Sequence, residues 1–281
     1  MTLCSFFLVA ATLVGTWNGN WFPSGRAEHR AHPDVEEATI VATAKMLADA
    51  IRQADPAGTN DVILCLNEIR GPRVASNLVV RIGRKDLAVA AVSGYRRRDR
   101  FDQQQDVIAT TLPVVESGWR RWRSSGHFSP PRGFAYARVS IHSTTASVYA
   151  VHLKSNYGAT SPEIVVANRR KREIAVSQLL EYERREYGGG THPVIVAGDM
   201  NADRWGRDSA EERLFVLFEE AGFANLLELL PPDGRGTHPS RRYGDSALDY
   251  VFVRAAKPLG LPLIVPNDAL SDHFALFTSI E

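Results

Sequence analysis

A carboxylate and a carboxamide stand two residues apart where an apolar run ends: Val194-Ile195-Val196-Ala197-Gly198-Asp199-Met200-Asn201. The run reads as a buried strand, and Gly198 lets the backbone turn sharply with its neighbours close. In layered α/β proteins the C-terminal mouth of a strand is where chemistry is usually placed. The same pattern recurs along the chain. Asn18 follows a first apolar strand, Glu68 ends a second, and His152 ends the later half of a hairpin. Asp249 lies in Leu248-Asp249-Tyr250-Val251, and Ser271-Asp272-His273 opens the last strand. Taken singly, each group also suits a turn, a helix cap or a satisfied core position. Taken together they are harder to assign to packing, because burying many unpaired polar groups is costly. Carboxylates and imidazoles gathered at one place would carry general acid–base chemistry.

The ordered set Asn18, Leu66-Asn67-Glu68, Val151-His152-Leu153, Gly198-Asp199-Met200-Asn201, Leu248-Asp249-Tyr250 and Ser271-Asp272-His273 resembles the endonuclease/exonuclease/phosphatase superfamily. That superfamily includes deoxyribonuclease I, abasic-site endonucleases, inositol polyphosphate phosphatases and bacterial sphingomyelinases. The motifs are short individually and specific in this order and spacing. They run from the first strand to the last, so the resemblance implies one deoxyribonuclease I-like domain over residues 12–281. Its fold class would be α/β, a four-layer sandwich of two packed mixed β-sheets flanked by helices.

The resemblance further implies metal-assisted hydrolysis of a phosphate ester. Mg²⁺ or Mn²⁺, as one or two ions, takes hard oxygen ligands: Glu68 first, with Asp272 and Asn18 in support. Asp199 would deprotonate the attacking water and Asn201 would hold the water or a phosphate oxygen. His273, protonated and paired with Asp249, would face the phosphate. His152 is a second imidazole at the site. Lys154 and Asn156 would contact phosphate, with Asn168 and Arg169 as weaker candidates. Arg170, Lys171 and Arg172 read as a solvated helix face.

The elements that must position these groups follow from pattern. Strand one runs to about Trp17, a turn Asn18-Gly19-Asn20-Trp21 follows, and a helix covers about Pro33 to Ala54 with acids in its first turn. Strands are expected at 61–66, 87–92, 107–112, 134–141, 147–153, 194–199, 247–254 and 273–280. Helices are expected at about 72–82, 161–187 and 209–221. Ser161-Pro162-Glu163 is a strong helix opening, and Gly188-Gly189-Gly190 a stop.

Composition sets the remaining bounds. The 281 residues carry a formal net charge of +1, so no global basic field points to nucleic acid. The 33 basic residues include 5 Lys. Cys4 and Cys65 are the only cysteines; Cys65 reads as a buried thiol, and no disulfide framework is expected. Leu3 to Ala11 is apolar and too short to span a bilayer. If residues 1–11 are a clipped secretory signal, the protein is secreted or periplasmic; otherwise it is cytoplasmic. A monomer without stable membrane association is expected.

The scaffold does not choose a substrate. A nucleic-acid substrate, DNA or RNA, is favoured by two basic segments with aromatics, Tyr95 to Phe101 around Arg96-Arg97-Arg98 and Trp119-Arg120-Arg121-Trp122-Arg123, which suit backbone contact and base stacking. The alternative is a phosphomonoesterase or phospholipase of the inositol phosphate or sphingomyelin class. Against the inositol group, Tyr243-Gly244-Asp245-Ser246 stands where a Trp-Cys-Asp-Arg-type element is usual.

Overall fold

In a computed structural model, which describes residues 11–25, 32–97, 100–141, 144–206, 209–240, 244–267 and 270–281, alternation along one strand sorts side chains between two cores. Val62, Leu64 and Leu66 enter a core shared with two helices, whereas Ile63 and Cys65 enter a core shared with a second sheet. This is the period-2 signature of a strand buried on both faces.

In chain order the strands are β1 (Thr12–Phe22), β2 (Asp61–Ile69), β3 (Ala88–Val92), β4 (Arg96–Arg97), β5 (Arg100–Phe101), β6 (Gln105–Thr110) and β7 (Val114–Arg121). There follow β8 (Gly133–Ile141), β9 (Thr144–His152), β10 (Val194–Asp199), β11 (Ala224–Asn225), β12 (Asp249–Arg254), β13 (Pro258–Val265) and β14 (Ala275–Ile280). One six-stranded sheet has the order β13-β14-β1-β2-β6-β3, the other β11-β12-β10-β9-β8-β7, and β4 with β5 forms a small separate ribbon. Both large sheets mix parallel and antiparallel pairs. The helices are α1 (Pro33–Ala54), α2 (Pro72–Arg81), α3 (Pro162–Tyr187) and α4 (Arg213–Glu220). The expected fold class, two packed mixed sheets flanked by helices, is the one observed.

Helix α1 buries Ile40, Ala44, Leu47 and Ile51, one face at helical spacing, against the outer side of the first sheet. Helix α3 opens at Ser161 and stops at Gly188, whose φ of 80° is the left-handed end that glycine accommodates. No helix of the described residues is long and apolar enough to cross a membrane.

Several boundaries differ from expectation for physical reasons. β1 continues past Asn18 to Phe22, with Asn20 and Trp21 at positive φ. The expected helix at 209–221 is a short 3-10 turn at Ser209–Glu211 followed by α4. β7 is an edge strand whose residues are largely exposed, and β13 carries two prolines and a glycine, which hide a strand from pattern reading. Residues 1–10, including Cys4 and most of the expected signal segment, and Arg98 of the basic loop lie outside the described residues. Cys65 is the buried thiol expected, and burial pushes its pKa up.

Two backbone irregularities aim the strand ends. The β2–β6 register shifts between Leu66 and Ile69, an extra residue on β2 that makes a bulge. By parity Glu68 would follow Leu66 to the helix side. The bulge and its φ of +59° turn it instead toward the second sheet. Gly198, at φ +143°, is the other: a Cβ there would lie 1.9 Å from the Val151 carbonyl oxygen and 2.9 Å from Asn67 Oδ1. Gly198→Ala should therefore cost about 3 kcal/mol, read as a lowered urea midpoint; an unchanged midpoint would show that β10 is free to shift away from β9 and Asn67 at that point.

Candidate active site

Asn18 and Asn67 are register partners across parallel strands β1 and β2. Asp199 is flanked in the second sheet by His152 of β9 and Asp249 of β12. The two rows meet where the sheets face each other. Asn18 Nδ2 donates to Asp199 Oδ2 at 2.8 Å and lies 3.4 Å from Glu68 Oε1. Asn67 Oδ1 accepts the Asp199 backbone N–H at 3.0 Å, and its Nδ2 donates to Asp106 Oδ1 at 2.8 Å. Asn201, at φ +50°, gives its backbone N–H to Asp199 Oδ1 at 2.7 Å and its amide to Oδ2 at 2.9 Å. Left-handed backbone at both Glu68 and Asn201 is strain held by surrounding structure, as at functional sites.

Two imidazoles flank Asp199. His152 Nε2 lies 3.5 Å from Glu68 Oε1 and 3.6 Å from Asp199 Oδ2, while its Nδ1 is buried without a hydrogen-bond partner. His273 Nδ1 bonds Asp249 Oδ2 at 2.7 Å, and its Nε2 lies 3.9 Å from Asp199 Oδ2. The ring is held by its own backbone: the His273 carbonyl accepts from Trp17 Nε1 at 3.2 Å and from the Asn267 amide. Ser271 Oγ links this loop to β1 by donating to the Asn18 carbonyl at 2.7 Å.

Their protonation states diverge. Burial, with Arg132 and His273 adding positive charge, drives the His152 pKa well below its ordinary value. For His273 burial also acts to lower it, but the carboxylates of Asp249 and Asp199 outweigh burial and push it up to about 10. Burial raises Asp199 to about 7, with His273 opposing and Asp249 reinforcing. Neutral His152 and cationic His273 therefore stand on either side of one carboxyl, an arrangement that separates acid from base roles.

The structure brings together Asn18, Glu68, His152, Asp199, Asn201, Asp249 and His273. Asp272 stands at the mouth, in contact with Ser271 and His238. Lys154, two residues after His152, turns its Nζ to the Ser155 carbonyl, and Asn156 presents its Oδ1 to Arg172 at 3.4 Å. Asn168 is buried and donates to the Ser155 carbonyl, and Arg169 pairs with Glu211. One expectation is overturned outright: Arg172 is fully buried, paired with Glu212 and bonded to the Lys154 carbonyl at 2.7 Å. Its partner lies beyond the helix, so the charge run hid it. Tyr95 is buried, its hydroxyl bonded to Asp106 at 2.9 Å, and Trp122 is buried against Phe134, so neither ring offers a stacking face. Sequence reading also gave no role to Asn67, Asp106, Arg132, Thr237 or His238. Only Asn67, inside the Leu66-Asn67-Glu68 motif, carried a signal.

A divalent cation fits these residues. Glu68 is buried and receives N–H donors from Asn18 and Trp21, the latter at 2.9 Å, beside a neutral imidazole. Among the described residues no Lys or Arg pairs with it. The carboxylate oxygens of Glu68 and Asp272 are hard donors; Asn18, expected as a supporting ligand, turns its amide nitrogen to Glu68 while its Oδ1 accepts the Asn20 N–H at 3.0 Å. Two triads also hold ligand atoms within 4.8 Å of one another: His238, Asp272, His273 and Asp199, Asp249, His273.

The model of the endonuclease/exonuclease/phosphatase family matches residues 15–273. The chain belongs to that family, whose members are hydrolytic phosphoesterases and in general use a divalent metal. Among solved structures, D. rerio TDP2 complexed with single-strand DNA product is 16% identical at TM-score 0.65, over 96% of this chain and 99% of that one. Sphingomyelinase C from Streptomyces griseocarneus is 15% identical at TM-score 0.60, over 96% and 99%. An endonuclease/exonuclease/phosphatase family protein from Leptotrichia buccalis is 13% identical at 0.63, over 97% and 99%. At these identities the likeness is one of fold. No curated protein matches the chain.

The His273–Asp249 pair gives a direct test in metal-free protein. Because the folded pKa is raised from 6.5 to about 10, the pair stabilises the fold fully below pH about 6.5, and this is lost as pH rises through about 10. The ring ¹⁵N resonances of His273 should titrate in that alkaline range, and Asp249→Asn should bring the midpoint down. A wild-type midpoint near 6.5 would refute the pairing.

Proposed function

We propose that this protein is a divalent-metal-dependent phosphodiesterase that cleaves nucleic acid by attack of water on phosphorus. The observation that carries the reading is the convergence of Asp199 with neutral His152 on one side and cationic His273 on the other.

In this reading Glu68 and Asp272 hold Mg²⁺ or Mn²⁺, which when bound supplies Lewis-acid polarisation of a phosphoryl oxygen. Asp199 takes the proton of the attacking water. Its pKa of about 7 makes it a usable base at neutral pH. Asn201, tied to Asp199 through both its backbone and its amide, keeps the carboxylate aimed. His273 presents a fixed positive charge to the phosphate, where charge builds in the transition state, and Asp249 keeps it protonated.

The nucleic-acid reading draws on the rim. Arg121 at the end of β7 donates to the Arg96 carbonyl at 2.9 Å, so both basic segments meet. They lie at the site end of the sheets, since Arg121 pairs with Gly133 and Phe134 with Val151. The TDP2 structure that holds single-strand DNA product shares the fold, as does the sphingomyelinase. The basic segments favour a polyanion over a choline lipid.

Asp199→Ala and His273→Ala should each lower turnover by about 1,000-fold or more with circular dichroism unchanged; near-normal hydrolysis in both would sink the assignment. EDTA should abolish activity and Mg²⁺ or Mn²⁺ restore it. Arg96→Ala with Arg121→Ala should weaken DNA binding about uniformly across sequences and flatten its salt dependence, while hydrolysis of a small phosphodiester persists. Preferential release from sphingomyelin or inositol phosphates over plasmid, single-stranded DNA and RNA would replace this substrate class with the alternative.

A further inference from the structure

Asp272 is the candidate cation ligand least held by burial, its side chain 51% exposed. Two donors face it. Ser271 Oγ lies 3.4 Å from Oδ1, but that hydroxyl has one proton and stands 2.7 Å from the Asn18 carbonyl. The other is His238, whose Nε2 lies 3.9 Å from Asp272 Oδ2 and whose ring meets His273 edge-on at 4.8 Å.

His238 is fixed by more than its loop. Its backbone exchanges hydrogen bonds with Ser246 at 2.9 and 3.0 Å. The preceding Thr237 is buried. Its hydroxyl receives the backbone N–H groups of Leu248 and Asp249, both at 3.0 Å, and its carbonyl receives that of Phe274 at 2.6 Å. One short segment thus grips β12 beside Asp249 and the chain just after His273, and extends an imidazole across Asp272.

We propose that His238 is a positioning residue for Asp272: its imidazole, 3.9 Å from the carboxylate and one small side-chain shift from hydrogen-bonding it, keeps that carboxylate turned toward the mouth of the site, ready for a divalent cation. The inference rests on Asp272 being a cation ligand. Direct ligation by the His238, Asp272, His273 triad is disfavoured by geometry, since both ring nitrogens of His273 already face carboxylates, Asp249 at 2.7 Å and Asp199 at 3.9 Å. Groups that orient a metal's ligands typically change its affinity by about 10–100-fold when removed.

The experiment titrates Mn²⁺ into the metal-free full chain without substrate, reading free Mn²⁺ by electron paramagnetic resonance. His238→Ala should weaken Mn²⁺ about tenfold or more, Glu68→Gln and Asp272→Asn at least as much, with unfolding midpoints little changed. His238→Gln, which keeps a side-chain N–H for Asp272, should recover most of the affinity. Wild-type affinity in His238→Ala beside a loss in Asp272→Asn overturns the inference and leaves the cation site standing. Wild-type affinity in Asp272→Asn and Glu68→Gln removes the cation reading itself, and this inference with it. A loss for Co²⁺ far larger than for Mn²⁺ in His238→Ala would make His238 a nitrogen ligand and equally overturn the positioning role.

Discussion

One carboxamide ties the two sheets together at the site. By strand parity Asn67 points, like Ile63 and Cys65, into the space between sheets, where an unpaired amide would cost several kcal/mol. It is paired on both ends, to the Asp199 backbone on the far sheet and to Asp106 on the neighbouring strand. Asp106 continues the chain of bonds to Tyr95 and Ser93. Buried networks of this kind, once fully satisfied, admit few alternatives. Gly198 is the concession that makes the approach sterically allowed. With the Asn18–Asp199 bond beside it, the bridge fixes the separation at which Asn18 and Glu68 of one sheet meet His152, Asp199 and Asp249 of the other.

With that separation set, charge does the sorting. The imidazoles of His152 and His273 are both buried, and burial alone would leave both neutral. Only His273 has a carboxylate bonded to a ring nitrogen. His152 instead meets Arg132, whose guanidinium bonds the His152 and Leu153 carbonyls at 3.1 and 2.6 Å and adds positive charge behind the ring. The same Arg132 reaches Gln104, the residue just before β6 of the first sheet, at 3.1 Å. A residue that staples the sheets therefore also keeps one imidazole uncharged, so structural and electrostatic roles cannot be assigned to separate side chains.

What was legible in the sequence was the pairing of apolar strands with polar ends, because burial on both faces demands unbroken apolar runs and a polar terminus stands out against them. The apolar run of β2, ending in Asn67-Glu68, and the glycine of β10 are of this kind. Features that depend on a partner far along the chain were not legible. Arg172 reads as one more charge on a basic helix until Glu212, buried beside it, appears. Tyr95 and Trp122 read as stacking faces because basic residues adjoin them, whereas tertiary packing had claimed both rings. The bulge that re-aims Glu68 leaves no mark in residue types, since the extra residue is defined only against its partner strand. His238 sits in Gly236-Thr237-His238-Pro239, a loop by any local rule, and its place is fixed by its own bonds to Ser246 and by that of Thr237 to Phe274.

The buried network also explains how a common scaffold can carry its own rim. Gln105 accepts from Ser93 Oγ and the Tyr95 backbone at 2.7 and 2.9 Å, and Tyr95 directly precedes the basic ribbon β4. Its hydroxyl ends on Asp106, one hydrogen bond from Asn67 and two from Asp199. Trp119 packs edge-on to Tyr95 at 5.8 Å, which brings the second basic segment to the same anchor. The ribbon is thus referenced, through buried and satisfied polar groups, to the carboxylate that the site is built around. A phosphate backbone held by the rim would be registered against Asp199 by the same bonds that register one sheet against the other. Side chains beyond Tyr95 can then vary to suit a ligand, because the bonds that run from its hydroxyl through Asp106 and Asn67 to Asp199 lie on the buried side of that tyrosine.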